Sequence, residues 1–198
     1  GKYHFSALRC CNCGSFSLLT FCEHCEMELG EFSLGVRQLG RDFKVYSFYK
    51  YSEIKHLLFA KHKFYGYFVF NALARLSFAK FKDFFAPQTA LNAIPLDDRV
   101  QNALYSHSAI LARHLKTAFV KPLYNALQAS SSVKYSGKSV SFRQRHKRNY
   151  KLLKKPEFPV ILVDDIITTG SSLLEARGVL EKNKISVLFA LVLADAKD

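Results

Sequence analysis

PVILVDDIITTGSS, residues 159–172, decides the fold. Val160, Ile161, Leu162 and Val163 form an uninterrupted apolar run rich in β-branched residues, the composition of a central strand covered on both faces. Asp164 and Asp165 come where that strand should end, and open α/β sheets bind ligands at the carboxyl ends of their strands. Thr168, Thr169, Gly170, Ser171 and Ser172 then lead into LLEARGVLEK, where Leu173, Ala176 and Leu180 recur at helical spacing. A hydroxyl-rich turn feeding a helix N-terminus offers a phosphate backbone N–H groups, side-chain donors and a favourable dipole. Gly170 allows the backbone to approach the anion closely or to take a positive φ. Acids repel a phosphate, but they can hold ribose hydroxyls and a hydrated Mg²⁺. A sugar phosphate fits this arrangement.

Outward from that stretch, further elements of an α/β sheet are visible. Residues 90–96 (ALNAIPL) read as a second parallel strand closed by Pro95, with Asp97, Asp98 and Arg99 after it. Residues 104–119 follow as an amphipathic helix through Ile110, Leu111, Leu115 and Phe119, and residues 185–193 as the strand after the phosphate-loop helix. Residues 43–51 alternate like a strand. Residues 52–62 and 64–85 read as helices with many aromatics and a run of Lys and Arg. Two readings of that run stand: core helices with a basic outer face, or an aromatic–basic surface for nucleic acid or membrane.

At 198 residues and 49% hydrophobic, the chain has room for one α/β domain plus a small accessory module. No 18-residue uncharged apolar run and no charged–apolar–small leader is visible, so a cytoplasmic location without a transmembrane segment is expected. The chain opens on Gly1, and its first few residues are left out of the functional reading. Its 29 basic and 16 acidic residues give a net charge of +13, unevenly spread. Residues 134–155 hold nine Lys or Arg and no acid, with Tyr135, Phe142 and Tyr150 interleaved. Such a segment is either a solvated, flexible loop or a cationic groove for single-stranded nucleic acid or a polyphosphate, with membrane-surface attraction a third reading. Lys134, Lys138, Arg143, Arg145, Lys147 and Arg148 are the candidate DNA-binding residues. Ser136, Gly137, Lys138 and Ser139 end like a nucleotide-binding P-loop, but Ser132 stands where that loop needs glycine and no apolar strand leads in.

All five cysteines fall within residues 10–25, and four have the spacing C-x2-C-x8-C-x2-C: Cys10, Cys13, Cys22 and Cys25. Two such knuckles supply four thiolates for tetrahedral Zn²⁺. Four protein ligands close the coordination sphere, so the metal is expected to be structural. Cys11 is the spare and could in principle replace Cys10; His24 lies inside the second knuckle as a bystander.

The 159–172 stretch resembles the ribose-phosphate motif of type I phosphoribosyltransferases, an apolar strand, two acids, two variable residues, then TTG and a hydroxyl residue. In that family the acids face the ribose of 5-phosphoribosyl-1-pyrophosphate (PRPP), and the loop holds the 5′-phosphate. The resemblance assigns Asp164 and Asp165 the ribose role, and Thr168, Thr169, Gly170, Ser171 and Ser172 the phosphate role. A four-cysteine module ahead of this motif resembles the ComF/GntX group of competence-related proteins, needed in bacteria for taking up transforming DNA. KHKFYG (residues 61–66) is similar to that group's lysine-aromatic-glycine signature, Ile94-Pro95-Leu96 to its proline after the strand, and residues 135–150 to its Arg-and-Asn segment, with Arg143 and Asn149 the nearest equivalents. The group's Arg-Gly-Phe-Asn-Gln stretch is replaced by Leu104-Tyr105-Ser106-His107-Ser108, which leaves Arg99 and His107 as weak candidates for a pyrophosphate role.

The fold implied is an α/β, type I phosphoribosyltransferase-like, mostly parallel sheet flanked by helices and preceded by a small zinc module. Residues 1–30 would form the module and 41–198 the larger domain, with a flexible basic segment near 128–155. The resemblance implies structural Zn²⁺, Mg²⁺ bound with PRPP, and single-stranded DNA as partner during natural transformation. Contact with other competence proteins and peripheral association at the inner face of the membrane belong to the same expectation. The alternative is an active Mg-dependent phosphoribosyltransferase acting on an unidentified nucleobase-like acceptor, in which Asp164 and Asp165 would be catalytic.

Overall fold

A computed structural model describes residues 8–100, 104–130 and 148–197. Helix α1 (Glu23–Gly30) closes the cysteine module, and the chain then enters a hairpin of β1 (Gly35–Leu39) and β2 (Phe43–Lys50). Next come α2 (Tyr51–Leu58), a 3₁₀ turn at Phe59–His62, α3 (Gly66–Leu76) and a second 3₁₀ stretch at Phe78–Asp83. β3 (Leu91–Pro95), α4 (His107–His114) and β4 (Val120–Pro122) follow, and β5 (Leu127–Ala129) pairs with β6 (Tyr150–Leu152) in a separate antiparallel ribbon. β7 (Val160–Ile167), α5 (Ser171–Lys182) and β8 (Val187–Asp195) complete the chain.

The main sheet has six strands in the order β1-β2-β8-β7-β3-β4, and only β1 runs antiparallel to its neighbour. It is a mixed, mostly parallel α/β sheet with helices on both faces. Successive side chains on a strand point to opposite faces, and β7 obeys this rule. Ile161 and Val163 join the core under α1–α4, whereas Val160 and Leu162 join the core that includes Leu173, Ala176 and Leu180 of α5. Both faces of the strand are therefore buried, as its continuous apolar run predicts.

The cysteine module is not a free appendage. Cys10, Phe21, Cys25 and Leu29 belong to the same buried cluster as Phe48, Phe70 and Leu73, and the Tyr49 hydroxyl donates to the Leu29 carbonyl at 2.7 Å.

Several boundaries differ from the sequence reading. The helix expected over 104–119 is only His107–His114, because the Thr117 hydroxyl takes the N–H groups of Phe119 and Val120 and starts β4. The long aromatic helix over 64–85 breaks at Ser77, a buried residue whose hydroxyl turns back to the Leu73 carbonyl at 2.6 Å. The strand expected to stop before Asp164 continues to Ile167, so the acids lie inside its carboxyl-terminal half. Among the described residues, no helix is long and apolar enough to cross a membrane.

Candidate functional site

The alternation of β7 continues through its two acids and separates them. Asp165 faces the side of α2–α4, where its Oδ2 accepts from Lys61 Nζ at 2.9 Å and lies 3.5 Å from His107 Nε2. Its Oδ1 accepts the Ile166 N–H at 2.9 Å. Lys61 comes from the 3₁₀ turn after α2, and that turn is pinned by the Tyr105 hydroxyl, 3.1 Å from both the Ala60 and Lys63 carbonyl oxygens. Gly66 is required there: a Cβ would collide with the Ala60 carbonyl and the Tyr105 hydroxyl. His107 is the first residue of α4, whose N-cap Ser106 accepts the Ala109 N–H at 3.2 Å, and its ring packs on Phe70 at 5.5 Å.

Electrostatics drive the two acids apart. Burial alone would raise the Asp165 pKa, but the charges of Lys61 and His107 hold it well below the ordinary carboxylate range. Asp164, which faces the Tyr150 side, is pushed well above that range by burial and then by the Asp165 charge. Asp164 thus keeps its proton at pH values where Asp165 has lost its own. The Asp165 charge raises the Lys61 pKa, and burial lowers that of His107 despite Asp165 beside it. Tyr150 is buried, with its phenol shifted upward by burial and then by Asp164.

Beyond the acids, Thr168, Thr169 and Gly170 form the turn into α5, with Ser171 and Ser172 as its first two residues. Thr169 Oγ1 lies 2.8 Å from Ser171 Oγ and accepts the Ser171 N–H at 3.3 Å. Gly170 is the N-cap at φ +82°, and a Cβ built on it would lie 2.6 Å from Leu39 Cδ1. Gly170→Ala therefore combines left-handed strain with a clash against the first strand. It is expected to cost about 1–3 kcal/mol, measurable as a lowered midpoint of thermal unfolding.

Arg37 on β1 holds this turn from outside the motif. Its guanidinium donates to the Thr168 carbonyl and makes a two-point pair with Asp195 at the end of β8. Glu175, one turn into α5, accepts the N–H groups of Arg148 and Asn149 at 3.0 and 2.6 Å, fixing the point where the basic segment returns to the fold. The Arg148 guanidinium lies 3.9 Å from Asp97, which also pairs with Arg99. Lys134, Lys138, Arg143, Arg145 and Lys147 lie outside the described residues.

The four cysteines picked out by spacing converge. The sulfur atoms of Cys10, Cys13, Cys22 and Cys25 all lie within 4.8 Å of one another, with Cys13 and Cys22 at 3.7 Å. A tetrahedron with Zn–S bonds of about 2.3 Å has edges of about 3.8 Å, so the set fits a metal such as zinc. Ser15, by hydrogen bonding, lowers the Cys13 thiol to about 6, whereas burial pushes Cys25 up to about 12. The Asn12 amide donates to Cys25 Sγ at 3.3 Å, and its oxygen lies 2.6 Å from His56 Nε2, a second layer behind the sulfurs. Cys11 stays outside the set, and its thiol is raised by burial. Among the described residues this is the one group of three or more Cys, His, Asp or Glu side chains close enough to share an ion.

Arg37, Glu175 and the pairing of Lys61 and His107 with Asp165 are absent from the sequence reading, in which His107 stands only as a weak pyrophosphate candidate. Each depends on a contact across at least 26 residues of chain. A cleft of ≈ 500 Å³ between Phe32 and Phe84 shares no residue with the acid site. No protein-family model matches the chain, and no curated protein matches it.

Proposed function

We propose that this protein binds PRPP with Mg²⁺ through a type I phosphoribosyltransferase-like site and handles single-stranded DNA during natural transformation. The observation that carries the reading is the run from β7 into α5: two acids in the carboxyl-terminal half of a central strand, then a Thr168–Gly170 turn that leads straight into the N-terminus of α5. The turn suits a terminal phosphate, and Asp164 and Asp165 suit the ribose hydroxyls. Mg²⁺ would arrive on the ligand's own oxygens, as is usual for an ion that keeps its waters and takes few protein ligands; when bound it would neutralise the pyrophosphate charge. The net charge of +13 and the acid-free 134–155 segment support a polyanionic partner. Four cysteines placed as for zinc, ahead of this sheet, agree with the ComF/GntX resemblance.

Calorimetry with Mg-PRPP, with and without a single-stranded oligonucleotide, tests the reading. Saturable binding by the wild type, strongly weakened in Thr169→Val and Asp164→Asn, is the expected result. No heat at millimolar PRPP would remove the premise. The active-transferase reading draws on His107, a partly exposed imidazole 3.5 Å from Asp165 and suited to accepting a proton from an incoming nucleophile. Steady pyrophosphate release with any nucleobase, lost in His107→Gln, would favour it.

A further inference from the structure

The turn that brings Lys61 to Asp165 also displays an aromatic surface that no core explains. Phe64 is 70% exposed, Phe68 52% and Tyr67 40%, at the start of a helix whose Val69, Phe70 and Leu73 are buried. Leu104, 86% exposed, adjoins Tyr105, whose ring stands 6.1 Å from Tyr67. These groups are ordered: Tyr67 and Phe68 meet edge to face at 5.5 Å, and Phe64 and Tyr65 at 5.7 Å. Leaving such rings in water forgoes burial of about 1.5–3 kcal/mol for a Phe, so a solvent-facing cluster of them marks a binding surface.

Charge identifies the occupant. No Asp or Glu occurs from Ile54 through Lys82. Lys63 is exposed beside Phe64, and the exposed Arg113 is tied to Asn71, whose amide donates to the Tyr67 carbonyl, so cations flank the rings on both sides. Aromatic faces between cations match a strand of unpaired bases with its phosphates alongside. We infer that the exposed face of Phe64, Tyr67 and Phe68, flanked by Lys63 and Arg113, is a stacking platform for unpaired nucleobases. It rests on the nucleic-acid half of the reading above and moves the strand onto the α3 flank of the acid site, independent of the 134–155 segment.

Stacking and phosphate contacts leave different signatures, because only the phosphate contacts release counterions. Binding of a fluorescein-labelled 20-mer of deoxythymidine is measured by anisotropy over a range of salt. The Phe64→Ala/Phe68→Ala double variant is expected to bind at least ~5-fold more weakly, the lower end of the loss for one stacked base, with the salt slope unchanged. On an abasic 20-mer the variant and wild type should bind equally, and both should keep the same Mg-PRPP calorimetry. The chain has no Trp, so Phe64→Trp supplies a single indole whose emission should be quenched by the thymidine strand and not by the abasic one. Equal binding of the thymidine strand by wild type and double variant overturns the platform while leaving the DNA-binding reading intact. Failure of the wild type to bind any strand at low salt overturns both. Loss of pelleting with phosphatidylserine vesicles, at unchanged oligonucleotide affinity, overturns it in favour of a membrane surface.

Discussion

Asp165→Ala is expected to lower the midpoint of thermal unfolding by roughly 4–16 °C, while Asp164→Asn one residue away raises it by a few degrees. Removing one partner of a buried ion pair costs about 3–5 kcal/mol because the other charge is stranded. Lys61 keeps some contact with water, its side chain being 26% exposed, so a loss of about 2–4 kcal/mol is appropriate. For a chain of this length 1 kcal/mol moves Tm by about 2–4 °C. Asp164 has the opposite balance, since burial and the Asp165 charge both oppose its ionisation. Asparagine keeps the shape without that charge. The pH dependence follows the same signs. The folded-state pKa of Asp165 is depressed, so its stabilisation is present above the unfolded value near 3.9 and lost as pH falls below it. That of Asp164 is raised, so stability falls as pH rises from about 4 toward its folded value. Calorimetric scans between pH 3 and 8 should show the Asp164→Asn variant without the decline on the alkaline side. A wild-type-like Tm for Asp165→Ala would show that Lys61 finds equal solvation elsewhere.

Metal removal is expected to have an effect at least as large. One zinc per chain should be released by a strong chelator and counted with a chromogenic indicator, and Tm should then fall by roughly 10 °C or more. The size follows from where the module packs. Phe21 is fully buried and Leu29 nearly so, in the same cluster as Phe48 and Phe70. Exposing those two side chains forfeits about 3–6 kcal/mol, or roughly 6–24 °C at the same conversion. Loss of the ion would leave one thiol already ionised near neutrality and a buried neighbour that resists ionising, so metal uptake should release protons and weaken toward acid pH. Cys25→Ser should abolish stoichiometric binding. Cys11→Ser, outside the sulfur cluster, should leave both the zinc count and Tm unchanged.

The parts of this fold visible in sequence are those governed by local pattern. The β-branched run of β7 and the helical spacing of α5 identify themselves, because burial on both faces and helical period leave a mark residue by residue. The cysteine spacing does the same, since a knuckle's ligands are neighbours. β1 escapes: Gly35, Arg37 and Gln38 carry no strand pattern of their own, and pairing with β2 makes them a strand. The acid site is half legible. Asp164 and Asp165 stand out as a pair, but nothing in two adjacent letters says that one meets Lys61 and the other faces Tyr150. That division comes from the pleat and from segments 104 residues distant. The 128–155 stretch reads in sequence as a flexible basic segment, yet its two ends form the β5–β6 ribbon, held by Glu175 through backbone N–H groups that side-chain patterns do not encode.

The pleat of β7 also limits how this protein can change over generations. Inserting or deleting a single residue between Val163 and Asp164 would leave Val160–Val163 in their cores and turn Asp164, in place of Asp165, toward the side of Lys61. A change of length there would have to be absorbed by a bulge, as the register shift between Val160 and Ile161 against β8 already is, to keep Asp165 on Lys61. Substitutions that keep size can drift along this strand more easily than changes in its length.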